Sequence, residues 1–183
     1  MFVYSVAMLV LIPPIALPRY FLKTGSTAWF GVPVTGSFLG VLLALAAVFA
    51  AVSPAVVEPS FFVQSFVVTL SVLAAALGGG PVTEVVFVLA ARRPTRGIDS
   101  TGGGPEESLL RGGMWIGILE RIAIAATLWA AWPEGLAVVL AVKGLGRFAE
   151  LKQHAAAEQF ILGTFSSVLW ACAVYGTGRL LLG

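Results

Sequence analysis

Long hydrophobic runs separated by short polar stretches dominate the chain. A helix that crosses a bilayer needs about 20 apolar residues, with a range of roughly 17–25. By that measure the pattern predicts six spans, at 1–17, 34–53, 60–91, 113–131, 135–151 and 158–182. Pro13 and Pro14 predict a short, irregular first span, because proline removes a helical donor and clashes with the preceding turn. Pro54 closes the second span and Trp132-Pro133 the fourth. The third contains Gly78-Gly79-Gly80-Pro81, which predicts a break. Residues 81–91 are too few to cross alone, so they either complete one broken span, re-enter, or lie at the interface. Residues 92–112, rich in Gly, Arg and acid, read as a loop. The predicted fold is therefore all-α: a polytopic transmembrane helical bundle of six spans, forming one domain over residues 1–183.

The basic residues orient this bundle. Lys and Arg collect in cytoplasmic loops. With the N-terminus outside, the inner segments hold Arg19, Lys23, Arg92, Arg93, Arg96, Arg111, Lys143, Arg147 and Lys152, nine of the 11 basic residues. The outer segments 54–59 and 132–134 carry only Glu58 and Glu134. Splitting 60–91 into two crossings would put the arginine-rich loop outside, so one broken span is preferred, with both termini outside. Arg179 lies near the outer end, where its side chain can snorkel. The first run has its charges after it and none before it, the reverse of a secretory leader, and reads as a retained span. Trp29 and Trp115 fall near the inner interface and Trp129 and Trp132 near the outer one, as an aromatic belt requires. Trp170 falls mid-span and reads as a packing residue.

Composition agrees. The chain of 183 residues is 58% hydrophobic and only 11% charged, against roughly 25% charged for an ordinary soluble domain. The net charge of +2 forms no solvated basic stripe of the kind nucleic-acid binding needs, so no nucleic-acid partner is expected. Cys172 is the single cysteine and reads as a small buried hydrophobe. His154 is the single histidine, which argues against a histidine metal site; no metal or cofactor is expected. His154 and Glu158, four apart, read as solvated loop residues in preference to a base and its orienting acid. No phosphate loop, GxSxG or HExxH pattern occurs, and the enzyme question leans to no. A lipid-modifying enzyme would lack a recognisable nucleophile.

Candidate chemistry lies in charges within the spans, which cost roughly 2.5–3.5 kcal/mol each at the bilayer centre. At about 1.5 Å per residue, Glu84 lies about 12 Å from Arg92, Glu120 about 12 Å from Gly112, and Lys143 about 13 Å from Lys152. Three spans thus bring ionisable groups to one depth. Arg121 is turned about 100° from Glu120, while Lys143 and Arg147 share one face. Glu120–Lys143 and Glu84–Arg121 are the expected pairs, with Arg147 nearer the inner interface beside Glu150 or Glu158. Pairs of this kind also serve simply to hold helices together. Glu84, Glu120, Arg121, Lys143 and Arg147 together carry one excess positive charge, which a small anion or lipid phosphate balances. A proton or ion relay is the other functional reading. Gly113 and Gly117 read as a small-xxx-small packing pair; Gly144 and Gly146 permit close approach or a helix break. Gly163, Thr164, Ser166 and Ser167 suit close packing or a cavity lining, and Thr83 and Glu84 follow the expected break, where a helix start at residue 82 favours an anion.

Three stretches carry a resemblance. Trp115-Ile116-Gly117-Ile118-Leu119-Glu120-Arg121, then Ala141-Val142-Lys143-Gly144-Leu145-Gly146-Arg147-Phe148, then Ala157-Glu158-Gln159-Phe160-Ile161-Leu162-Gly163-Thr164-Phe165-Ser166-Ser167 resemble the C-terminal half of a family of small bacterial multi-pass membrane proteins of unknown function. The resemblance covers about 113–175. It implies a bacterial inner membrane and six or seven spans, and no reaction. The expected function is binding, and in its stronger form translocating, a small anion or anionic lipid head group in a cytoplasm-facing intramembrane polar cavity. Glu120, Arg121, Lys143 and Arg147 would carry it, with Glu84 and Glu158 setting the charge balance. The expected partners are membrane lipids. The alternative is a non-catalytic structural or accessory subunit, with protein partners in a larger membrane complex.

Overall fold

The computed structural model describes residues 2–17, 31–53, 59–91 and 110–183. Arg19, Lys23, Trp29, Glu58, Arg92, Arg93, Arg96 and the expected loop over 92–109 lie outside the described residues. The described residues are all-helical, with α1 at Phe2–Ala16, α2 at Gly31–Val52, α3 at Phe61–Ala91, α4 at Leu110–Trp129, α5 at Glu134–Gly146 and α6 at His154–Leu182. A single 3₁₀ turn, Glu150–Lys152, precedes α6.

Three of these helices, α2, α3 and α6, are long and apolar enough to cross a membrane. α1 is apolar but has only 15 residues, about 22 Å of helix. α5 has 13. α4 has 20, but Arg111, Glu120 and Arg121 interrupt its apolar character. Several expected boundaries move. α4 begins at Leu110, so residues 110–112 are helix and not loop. α5 stops at Gly146, well short of 151. α6 starts at His154, so His154 and Glu158 stand exposed on its first turns and not in a loop.

The expected breaks are absent. α1 runs through Pro13 and Pro14, and Leu17 still donates its amide to the Pro13 carbonyl at 2.9 Å. α3 runs 31 residues without interruption through Gly78-Gly79-Gly80-Pro81. The reason is packing. α3 contacts α1, α2, α4 and α6, and the glycine run is where they converge. A Cβ at Gly78 would strike the Trp170 ring of α6 and come within 2.9 Å of Ile12 of α1; one at Gly79 would strike the Arg121 side chain of α4. Gly36 of α2 lies against the Pro81 carbonyl itself. Four helices brace the segment, and unwinding it would expose backbone groups that lipid cannot satisfy.

Contacts fix the helix directions. Ser5 of α1 donates to the Ala46 carbonyl of α2 at 2.7 Å, and Gly36 meets Pro81. Trp129 Nε1 of α4 donates to Ser71 Oγ of α3 at 2.9 Å, and Thr83 accepts from Ser166 of α6 at 3.2 Å. Successive helices therefore run antiparallel. Phe2 and Gly183 lie at one end of the bundle; α1, α3 and α5 finish at the other.

The apolar residues are distributed inside out. α2 buries Leu39, Leu42, Leu43, Ala46 and Ala50 but exposes Phe38, Val41, Leu45, Val48 and Val52 along the opposite face. α6 exposes Ile161, Phe165 and Leu169, one turn apart. Meanwhile Ser5, Ser71, Arg121, Thr164, Ser167 and Thr177 are buried. An apolar exterior over a partly polar interior matches lipid and not water as the surrounding solvent.

Some expected roles change with this packing. Trp129 is not a belt residue: it turns inward, bonding Ser71 and stacking edge-on against Tyr175 at 5.0 Å. Trp115 and Trp132 are exposed. Trp170 packs in the core as expected and donates Nε1 to the Ala74 carbonyl at 3.2 Å. Among the described residues, Gly113 has nothing within 4 Å, and the atoms nearest Gly117 belong to the Arg121 guanidinium of its own helix. Gly144 and Gly146 likewise have nothing within 4 Å among the described residues.

Candidate functional site

The candidate site lies where α4, α5 and α6 meet, and adjacent residues of α4 build two halves of it. Glu120 and Arg121 point in different directions, as 100° of helical rotation demands. Glu120 turns toward α5 and Arg121 toward α3 and α6.

The Lys143 ammonium of α5 donates to Glu120 Oε2. Both side chains are mostly enclosed, Lys143 at 20% and Glu120 at 14% exposure. The expected Glu120–Lys143 pair is therefore formed. The same ammonium lies 5.7 Å from the centroid of the Phe160 ring of α6, within the range of a cation–π contact. Desolvation strengthens both interactions by lowering the local dielectric.

Arg121 is 5% exposed. Its Nε donates to the Ala76 carbonyl of α3 at 2.9 Å, and one terminal nitrogen donates to Ser167 Oγ of α6 at 3.3 Å. Its aliphatic stem covers Gly79. A glycine at 79 is thus a requirement of the arginine, since any side chain there would displace it.

The remaining predicted residues lie on α3, at the end of α5 and on α6. Glu84 is half-buried on α3, next to Thr83 and one turn before Phe87, which packs on Gly163 of α6. Thr83 donates to the Gly79 carbonyl at 2.8 Å and accepts from Ser166 at 3.2 Å. Arg147 is exposed and caps α5 with φ −115° and ψ 12°, outside helical geometry. The shared helical face expected for Lys143 and Arg147 therefore ends before Arg147. Glu158 is exposed on α6. The fold joins Glu120 to Lys143 directly and anchors Arg121, the next residue of α4, on α3 and α6.

Three participants were not legible as such. The Ala76 carbonyl carries no side-chain signal. Phe160 reads as one more apolar residue until Lys143 lies over it. Ser167 stood out as a small polar residue, but its arginine partner comes from 46 positions away. The 160, 164, 167 spacing was the available clue, since it places these residues on one helical face.

No protein family, no curated protein and no solved structure matches this chain. The site is therefore argued from its own geometry. Among the described residues no group of three or more His, Cys, Asp or Glu is placed to hold a metal ion.

Proposed function

We propose that the chain is a six-span bacterial inner-membrane protein that binds a small anion or an anionic lipid head group between α4, α5 and α6. The observation that carries this reading is the largely enclosed Lys143–Glu120 pair, set on the same stretch of α4 as buried Arg121. The Lys143 ammonium and a set of hydroxyls on α6 offer donors to an incoming oxyanion. Lys143 and Arg147 would hold the anion, and Glu120 would hold Lys143 in position. The site lies toward the end where α1, α3 and α5 finish. The basic residues of the intervening segments assign that end to the cytoplasm, which puts both termini outside. The likeness of 113–175 to small bacterial membrane proteins belongs to the same reading.

Native mass spectrometry of the full chain, extracted gently with its lipids, tests it. Wild-type protein is expected to retain phosphate-bearing lipid or a small anion, and Lys143→Ala and Arg147→Ala to lose it. Retention by both variants at the wild-type level overturns the proposal.

A second reading, a non-catalytic subunit of a larger membrane complex, draws on α5. This helix packs on α4 and presents Val138, Val142 and Leu145, all exposed on one face. The same spectra count subunits, and a stable larger assembly that Lys143→Ala disrupts, with ligand binding unchanged, favours this reading.

A further inference from the structure

Hydroxyls inside these helices follow one habit, and Thr164 departs from it. Ser53, Ser71, Thr83, Thr127 and Thr177 each donate to the carbonyl three or four residues earlier in the chain, and Ser166 donates across to Thr83. Ser5 donates across to α2, and Ser167 accepts from Arg121. Thr164 is 9% exposed, and its Oγ1 has no hydrogen-bond partner among the described residues. Buried polar atoms are rarely left so, and each exception calls for an explanation.

Its position supplies one. Thr164 follows Phe160 by one turn and precedes Ser167 by one turn, so the three share a face of α6. Lys143 lies over Phe160, and Arg121 bonds Ser167. The unpartnered hydroxyl thus stands between two cations, on a stretch of α6 about 10 Å long. A lysine ammonium carries three donors, and Glu120 takes one. α5 packs along α4 and brings Lys143 over the Phe160 ring of α6.

We infer that Thr164 is a ligand-positioning residue, its hydroxyl donating to a phosphate-type oxyanion that Lys143 engages from α5. Arg121 holds Ser167, one turn further along the same face. The inference rests on the anion-binding reading above and adds to it the residue and the ligand chemistry. A free phosphate and a lipid phosphate present the same oxygens to these groups.

The test uses the full chain, either in mild detergent with inorganic phosphate as titrant, or in vesicles of phosphatidylcholine with and without phosphatidylglycerol. The probe that binds identifies the source of the phosphate. Thr164→Val keeps the side-chain shape and deletes the hydroxyl; Thr164→Ser keeps the hydroxyl. Thr164→Val is expected to weaken retention of the binding probe about tenfold or more, as loss of a hydrogen bond to a charged group does, and Thr164→Ser to stay near wild type. Should Thr164→Val fail to fold, Thr164→Ala takes the same measurement. If Thr164→Val binds like wild type while Lys143→Ala has lost binding, the role of Thr164 is refuted and the anion site stands. If Lys143→Ala binds both probes as wild type does, or wild type binds neither, the anion reading itself falls and takes the inference with it.

Discussion

At Ala131 the chain adopts a left-handed conformation, with φ 56°. The residue closes α4: its amide donates to the Leu128 carbonyl at 3.1 Å, and the Trp132 amide donates to Thr127 at 2.9 Å. This paired pattern is the Schellman termination, in which glycine usually holds the left-handed position. Pro133 follows and prevents the helix from resuming. An alanine there is strained by its Cβ, so Ala131→Gly is expected to stabilise the protein by about 1 kcal/mol. Denaturant unfolding in detergent micelles would measure it, and a destabilised variant would contradict the account. A few residues away, buried Arg121 is tolerated for a different reason. A guanidinium has five donors in a fixed fork, and Ala76 and Ser167 accept from it on two sides. Lysine at that position would present a point charge without this reach.

At the level of elements, α3 is the axis of the molecule, and its composition makes sense only in that role. Glycine and proline are poor helix formers in water, costing about 1 and 3 kcal/mol per residue. Here Gly78 and Gly79 admit Trp170 and Arg121 to the helix surface, and the Pro81 carbonyl receives Gly36. Two glycines of α2 provide a comparison. A Cβ at Gly36 would crowd the Pro81 backbone, with the carbonyl carbon at 2.8 Å, whereas one at Gly40 has nothing within 4 Å. Gly36→Ala is expected to cost about 1–3 kcal/mol, the usual penalty for overpacking. Gly40→Ala should be neutral or slightly stabilising, because alanine is the better helix former. Equal thermal stabilities for the two variants would contradict the proposed α2–α3 contact.

At the scale of the bundle, the antiparallel succession of the six described helices puts Phe2 and Gly183 at one end. Gln153, exposed just before α6, lies at the other. If the bundle crosses the membrane as proposed, these ends face different compartments. In a Cys172→Ser background, Gly183→Cys is expected to react with a membrane-impermeant maleimide in intact cells. Gln153→Cys should react only in inverted vesicles. Labelling of both from the same side would refute the six-span topology. The inside-out distribution of apolar residues gives this experiment its basis, since α2 and α6 present rows of exposed apolar side chains that only lipid or another apolar surface would cover.

Hydrophobic run length alone established the helical class, the near positions of the elements and the long spans α2, α3 and α6, because lipid demands continuous apolar helix and run length measures it directly. Helical rotation and rise were also enough to select Glu120 and Lys143 as partners and to turn Arg121 away from them. Only tertiary structure decided the fate of the glycine and proline segments. Local propensity predicts breaks at Pro13-Pro14 and Gly78–Pro81, but packing against four neighbours outweighs it on α3. The inward turn of Trp129 was likewise set by partners distant in sequence. The same holds for Arg121 anchored on the Ala76 carbonyl and for Thr164 left without a bond. Periodicity tells which residues share a face; it does not tell which atom that face will meet.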